Sequence, residues 1–424
     1  MYTPPPVNLP YSKSIGARYL VASFFAGTLT ACPEFNDCDD LRVIQKALLD
    51  LALNKEHPAC GEPHLDIHAS GTAFRFITAV CASTEGADFL VTGTPRVCGR
   101  PMRPLLDVLR AAGASIDAQG DNGTGPYKVE GRRLQGGSYE IRGDVSSQFI
   151  SALMLVAPTW KGGMKLRFTT PLVSRPYAEM TAAVMKQFGI EVRLTDNGVE
   201  VPEGTYITPP NFKVEADWSA AGFFYEAIAI YTPRSIRLAG LRPPVESLQG
   251  DSSTADIFRK FGVISEFDDE GVTLETNRDL PDYIEVDMTD TPDLVPALVV
   301  ACIGRGCRFL LTGVKNLRVK ESDRLAALQT EMSKFGYTLK VDEDSIAWEG
   351  GSTGLKSRDI ETYDDHRIAM AFAIYALHTG LIRIHHPEVV DKSFEDFWNQ
   401  LPKIGLTCRR DGEYMEVSDR WEEL

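Results

Sequence analysis

Five stretches of the chain share one pattern: LLDVLRAAGASIDAQ, TAAVMKQFGIEVRLTDNGVEV, TADIFRKFGVISEFDDEGVTLE, LAALQTEMSKFGYTLKVDEDSIAWEG and FWNQLPKIGLTCRRDGEYMEV. Each opens with apolar residues at helical spacing, reaches a glycine, and continues as one or two strands of alternating polarity. The glycines are Gly113, Gly189, Gly262, Gly336 and Gly405, 69 to 76 residues apart. A glycine directly after a helix suits the left-handed conformation that ends it. Such a period means that one supersecondary unit is reused along the chain, and it limits the fold more than composition does. A degenerate first copy stands at DDLRVIQKALLDLALNK, residues 39–55.

A second kind of helix alternates with the first. SKSIGARYLVASFFAG, SGTAFRFITAVCAS, SSQFISALMLVAP, DWSAAGFFYEAIAI, TPDLVPALVVACI and DDHRIAMAFAIYAL each start polar and then run almost wholly apolar. A helix that is apolar all round is buried. Each unit therefore has one buried helix, one surface helix and several short strands, and six units fill 424 residues. The expected fold class is α/β, with two similar domains of three units each, built around buried helices.

The chemistry collects where the buried helices begin. Their first turns hold Lys13, Ser14, Gly71, Thr72, Arg75, Ser146, Ser147, Gln148, Asp217, Asp293, Asp365, His366 and Arg367. Helix N-termini present free N–H donors and a partial positive charge, and so bind phosphate and carboxylate. Asp217 and Ser219 read as simple N-caps. The cations Lys13, Arg75 and Arg367 do not, because a positive charge is unfavourable there unless an anion offsets it. Repeated Lys or Arg at this position signals an anionic ligand.

Composition narrows the classes. The net charge of −15 argues against nucleic acid or an anionic membrane as the main partner, and leaves room for small anions in a local basic cleft. No apolar run approaches the roughly 18 residues a membrane span needs. MYTPPPVNLP has no basic region leading into an apolar core, so a cytoplasmic protein without a signal peptide is expected. Eight cysteines without a CxxC pair read as reduced thiols, and seven histidines without HExxH or HxH spacing argue against a metal. No cofactor motif is present.

Nine short motifs run in order along the chain: SKSIGAR (12–18), SGTAFR (70–75), GRP (99–101), GDVSSQF (143–149), SRPY (174–177), PD (292–293), NLRVKESDR (316–324), YDDHR (363–367) and DKSF (391–394). Singly they are weak. In this order and spacing the chain resembles the 5-enolpyruvylshikimate-3-phosphate synthase family, over nearly its whole length. The resemblance implies transfer of the enolpyruvyl group of phosphoenolpyruvate to the 5-hydroxyl of shikimate 3-phosphate, through a tetrahedral intermediate and with release of phosphate. Some positions depart from the family pattern: Ala69 stands where Asn is common, Phe76 where Pro is common, and Asp364 replaces Asn before Asp-His-Arg.

The resemblance implies roles by position. Lys13, Ser14, Arg18, Ser146, Ser147, Gln148, Ser174, Asp293, Asn316 and Lys320 would hold shikimate 3-phosphate, with Tyr177 against the ring. Lys13, Gly71, Arg100, Gln148, Arg324, Arg367 and Lys392 would hold phosphoenolpyruvate. Arginine suits that task because it stays charged when desolvated and grips oxyanions with two parallel N–H groups. Asp293 would accept the hydroxyl proton and Glu321 would exchange a proton with the methylene carbon, with Lys13 assisting. Within NLRVKESDR, Lys320, Glu321 and Arg324 would face the substrates while Arg318 and Asp323 brace the loop. Arg96, Arg103 and Arg110 read as surface residues.

The resemblance also implies an inside-out α/β barrel in each domain. The first domain would comprise 1–12 with 216–424 and the second 13–215, crossing near 11–13 and 213–217, with substrates bridging a cleft that closes on binding. A monomer without metal or cofactor is expected. Two other readings are enolpyruvyl transfer to a UDP-sugar and a non-catalytic phosphometabolite binder. Lys13-Ser14 and RVKESDR disfavour the first, and retention of both carboxylates disfavours the second.

Overall fold

The computed structural model describes residues 5–35, 37–56, 63–230, 235–277 and 280–419. They divide into two compact units, residues 1–12 with 215–424, and residues 13–214. Within the first unit, the ends of its two segments run side by side. Ser12 N donates to Glu215 O (2.8 Å), Asp217 N donates to Pro10 O (2.9 Å), and Tyr11 bridges Ala216 antiparallel.

Six helices carry the apolar segments: α1 Lys13–Phe25, α2 Gly71–Ala82, α3 Ser147–Val156, α4 Trp218–Ile230, α5 Val295–Arg305 and α6 His366–Ile374. Each is almost wholly buried, as expected of segments with no polar face to present to water. In the first unit α4, α5 and α6 pack on one another. Small residues set the spacing: a Cβ at Gly304 would lie 2.8 Å from Ile230, and one at Gly222 would lie 3.2 Å from Leu294.

Three four-stranded sheets accompany these helices, each with a parallel pair followed by an antiparallel hairpin. In one, Tyr283–Asp287 runs parallel to Arg308–Thr312, which pairs antiparallel with Ser345–Trp348. The register aligns Ile284 with Phe309 and Val286 with Leu311, then Phe309 with Trp348 and Leu311 with Ile346. All six are buried, so every second residue of these strands faces the core. The buried helix α5 joins the parallel strands, and the amphipathic helix Arg324–Lys334 leads into the hairpin. This is the βαβαββ unit.

In residues 13–214, α1, α2 and α3 pack together with two four-stranded sheets of the same order. The expected sixth copy differs. Asp39–Glu56 is a helix whose Leu41, Ile44, Leu48 and Leu51 are buried, and no sheet accompanies it among the described residues. It lies close to α1, where a Cβ at Gly16 would be 2.7 Å from Leu41. The five repeat glycines all have left-handed φ, from +73° to +102°. A side chain there would be strained, which is why the repeat keeps glycine.

Candidate active site

The repeat collects its loops. In a parallel pair joined by a helix, the strand's C-terminal end and the helix N-terminus fall at the same edge of the sheet. In the first unit that edge receives Asp293 after Tyr283–Asp287, residues 316–324 after Arg308–Thr312, Asp365–Arg367 after Asp359–Ile360, and Lys392 after Leu381–His385. In the second it receives Gly71 after His64–Asp66, Arg100 after Asp88–Thr92, Ser146 and Ser147 after Gln135–Ile141, and Ser174 after Lys161–Phe168.

Arg324 is the hub of the first group. It is 1% exposed and gives four N–H bonds to three carboxylates. Nε meets Asp365 Oδ2 at 2.8 Å, Nη1 meets Asp293 Oδ1 at 2.8 Å, and Nη2 meets Glu321 Oε2 at 2.8 Å and Asp365 Oδ1 at 3.3 Å. Arg367 Nη2 reaches Asp293 Oδ2 at 3.0 Å, and Lys320 Nζ lies 3.4 Å from Asp293 Oδ1. Lys392 Nζ lies 3.6 Å from Glu321 Oε1. Burial alone would raise the Asp293 pKa, but Arg367, Lys320 and Arg324 outweigh it and hold the carboxyl well below the usual range, against a push from Glu321. For Arg324, burial lowers the pKa and the three carboxylates more than restore it. The Oδ1 of Asn316 is buried without a hydrogen-bond partner among the described residues.

Arg318 pairs with Asp323 at 3.5 Å, and Asp323 caps the following helix by accepting from Ala326 N at 3.1 Å. NLRVKESDR thus splits between bracing charges and charges directed at Asp293, Asp365 and one another.

The second group is built on α1, α2 and α3. Lys13 Nζ lies 3.3 Å from Asp40 Oδ2. Arg18 is buried and ties three helices together. It donates to Ser14 O (2.7 Å), Thr181 Oγ1 (2.7 Å), Ser151 Oγ (2.9 Å) and Tyr177 O (3.2 Å). Burial lowers its pKa to about 10. Gly71 lies beneath two guanidinium groups, since a Cβ there would fall 2.5 Å from Arg100 Nη1 and 2.7 Å from Arg75 Nη1. Gln148 Nε2 donates to Thr72 Oγ1 at 3.2 Å, joining the starts of α2 and α3. The Ser146 hydroxyl makes no capping bond, and Ser174 precedes its helix at φ +52°. A left-handed serine stores strain of the kind that accumulates at functional sites.

Comparison with known proteins decides the class. The profile of the family described as EPSP synthase (3-phosphoshikimate 1-carboxyvinyltransferase) matches residues 5–401. A 3-phosphoshikimate 1-carboxyvinyltransferase of Bacteroides fragilis is 40% identical over 403 residues, covering 94% of this chain and 95% of the relative.

The chain belongs to the EPSP synthase family.

A relative from Tolumonas auensis is 34% identical over 416 residues, covering 94% of this chain and 96% of its own. The solved EPSP synthase of Acinetobacter baumannii superposes with a TM-score of 0.72 at 25% identity, covering 98% of both chains. As a member of the EPSP synthase family, the enzyme transfers the enolpyruvyl group of phosphoenolpyruvate to shikimate 3-phosphate, in aromatic amino acid biosynthesis.

Two site features were not assigned from sequence. Asp365 is fully buried, accepts Arg324 Nε and Ser322 Oγ (3.0 Å), and caps α6 through Arg367 N (3.0 Å). Its place before His366 and Arg367 put it in the first turn of a buried helix, and nothing in the sequence showed that this carboxylate grips Arg324. Arg75 stands over the Phe149 ring at 5.3 Å beside Gly71. The N-terminal cations are thus offset in this fold by Asp40, an aromatic face and Asp293, so their placement alone does not require a ligand. The cap reading holds for Asp217, which accepts from Ala220 N at 2.8 Å. It fails for Ser219, whose hydroxyl donates to Asp251 instead because that carboxyl is buried against the same helix start.

Among the described residues, no helix is long and apolar enough to cross a membrane, and no group of three metal-ligating side chains occurs. The seven described cysteines form no disulfide; Cys60 lies outside the described residues.

Proposed function

We propose that this EPSP synthase carries out its transfer with Asp293 and Glu321 as the proton-handling groups. The observation that carries this reading is the pair of carboxylates held on one guanidinium, Arg324, with Lys320, Arg367 and Lys392 on their outer sides. Asp293 accepts the proton of the 5-hydroxyl as oxygen attacks phosphoenolpyruvate. Glu321 gives a proton to the methylene carbon, then takes one back as the tetrahedral intermediate loses phosphate. Each positioned acid or base contributes about 10²–10⁴-fold. Neutralising and holding two anions supplies most of the rest.

Shikimate 3-phosphate is held by Lys13, Ser14, Arg18, Ser146, Ser147, Gln148, Ser174, Asn316 and Lys320, with Asp293 at its hydroxyl. Phosphoenolpyruvate is held by Lys13, Arg100, Gln148, Arg324, Arg367 and Lys392 over the Gly71 backbone. The Asn316 Oδ1, without a partner among the described residues, and the Ser146 hydroxyl, which makes no capping bond, support these roles. Arg18 and Arg324 are the exceptions in kind: four of the five N–H donors of each are already committed, so they chiefly hold the groups around the substrates.

In this reading the two units are inside-out α/β domains whose strand-end loops face one cleft. Substrate anions draw the two basic rims together and exclude water. The enzyme works as a cytoplasmic monomer with no metal or cofactor. Small-angle scattering tests closure: adding shikimate 3-phosphate should reduce the radius of gyration, and an unchanged radius would contradict it.

A further inference from the structure

The helix Arg324–Lys334 buries a second charged side chain besides Arg324. It is Glu331, two turns further on and 0% exposed. Two turns apart, the two side chains leave the same face of the helix. Glu331 accepts from three donors. The Tyr363 hydroxyl reaches Oε1 at 2.6 Å, while Lys334 Nζ at 2.7 Å and Glu361 N at 3.2 Å reach Oε2. Lys334 Nζ also donates to Asp359 O at 2.9 Å. A buried carboxylate is costly unless its oxygens are paired and bonded, and the bonds made here run mainly to one short segment, 359–363.

That segment leads from the strand Asp359–Ile360 to α6. Tyr363 and Asp364 both have φ +55°, the only adjacent non-glycine pair in the left-handed region among the described residues. A bulky residue is rare there and persists only where its surroundings hold it. Tyr363 is 37% exposed, so packing of its ring gives little hold, whereas its hydroxyl is bonded to Glu331. Burial, then the bond to Glu331, raise the phenol pKa, so the hydroxyl stays a donor. The segment closes when Asp365 N donates to Thr362 O at 2.8 Å. Asp365 then grips Arg324 Nε and caps α6 at Arg367 N. Both arginines hold Asp293. One helix thus fixes the segment twice, through Glu331 at its start and Arg324 at its finish.

We propose that Glu331 and Tyr363 are positioning residues, whose hydrogen bond keeps 363–364 in the left-handed turn that aims Asp365 at Arg324 and Arg367 at Asp293. This rests on Arg324, Arg367 and Asp293 being working groups of the site. Without the bond the turn relaxes towards ordinary backbone, Asp365 withdraws from Arg324, and the two arginines lose their aim at phosphoenolpyruvate. Glu331 and Tyr363 act only through these partners.

Tyr363→Phe removes the hydroxyl and keeps the ring. Assayed well below its thermal midpoint, it should show kcat/KM for phosphoenolpyruvate lowered about tenfold, with the KM for shikimate 3-phosphate within about twofold. A merely structural bond would lower the midpoint and leave kcat/KM of the folded enzyme unchanged. Glycine adopts the left-handed conformation without strain, so adding Asp364→Gly to Tyr363→Phe should recover about threefold. Adding Tyr363→Phe to Glu331→Ala should cost less than about twofold, because the bond is already gone. A wild-type kcat/KM in Tyr363→Phe, or a loss that Asp364→Gly leaves unchanged, would overturn the inference. Arg367→Gln tests the reading beneath it and should lower kcat/KM for phosphoenolpyruvate at least about 10²-fold. A wild-type value there would remove the role of Arg367 itself, whatever Tyr363→Phe does.

Discussion

At the scale of single residues, the candidate site is held together by opposite charges. Arg324 neutralises Asp365, which is fully buried, and removing the guanidinium would leave that carboxylate without its cation. Breaking a buried pair on one side costs about 3–5 kcal/mol. Arg324→Met should therefore lower the denaturation midpoint of the unit as well as abolish turnover. Glu321→Gln is a contrasting change, because Glu321 is partly exposed and its loss leaves the Arg324–Asp365 pair intact. Its stability should move by less than about 1 kcal/mol, while kcat falls by about 10²–10⁴. Equal damage to stability from both substitutions would mean that Glu321 is structural. Gly71 offers a third test. An alanine there would push directly on Arg100 and Arg75, so Gly71→Ala should raise the KM for phosphoenolpyruvate more than it lowers kcat.

At the scale of elements, periodicity made the fold legible. The repeat glycines, the six apolar helices and the alternating strands all follow from patterns with a single physical solution. The starts of those helices pointed to the candidate site for the same reason. What the pattern did not carry is pairing across distance. That Arg324 binds Asp365, or that Arg18 ties α1 to Tyr177 and Thr181, depends on how three separate loops meet. The degenerate copy at 39–55 keeps the amphipathic helix with no accompanying sheet among the described residues.

Helix α4 holds a residue that an apolar reading passes over. Glu226 is 0% exposed, and neither carboxyl oxygen has a partner among the described residues. Burial raises its pKa well above 4.5. The folded protein keeps this proton while the unfolded chain releases it. Stability from Glu226 is thus complete below about pH 4.5 and is lost as pH rises, by about 1.4 kcal/mol per unit until the folded pKa is reached. Glu226→Gln should match wild type near pH 4 and become progressively more stable than it at higher pH. A stability difference that does not change with pH would show that Glu226 has a partner in solution.

At the scale of the whole molecule, the two units are built from one repeat, and the proposed binding groups are divided between them. Residues 13–214 hold Lys13, Arg100 and the serines, and 215–424 hold both carboxylates with Lys320, Arg367 and Lys392. The overall charge is −15, yet Lys320, Arg324, Arg367 and Lys392 gather at Asp293 and Glu321, so in the proposed mechanism binding should weaken as salt screens the approach of the anions. In the proposed mechanism Glu321 moves the proton on which transfer to shikimate 3-phosphate depends. Phosphate release from phosphoenolpyruvate, measured with and without shikimate 3-phosphate in the wild type and in Glu321→Gln, tests it directly. Release should require shikimate 3-phosphate and should fall about 10²–10⁴-fold in the variant while calorimetry shows both substrates still bound. Undiminished release by Glu321→Gln would contradict the account.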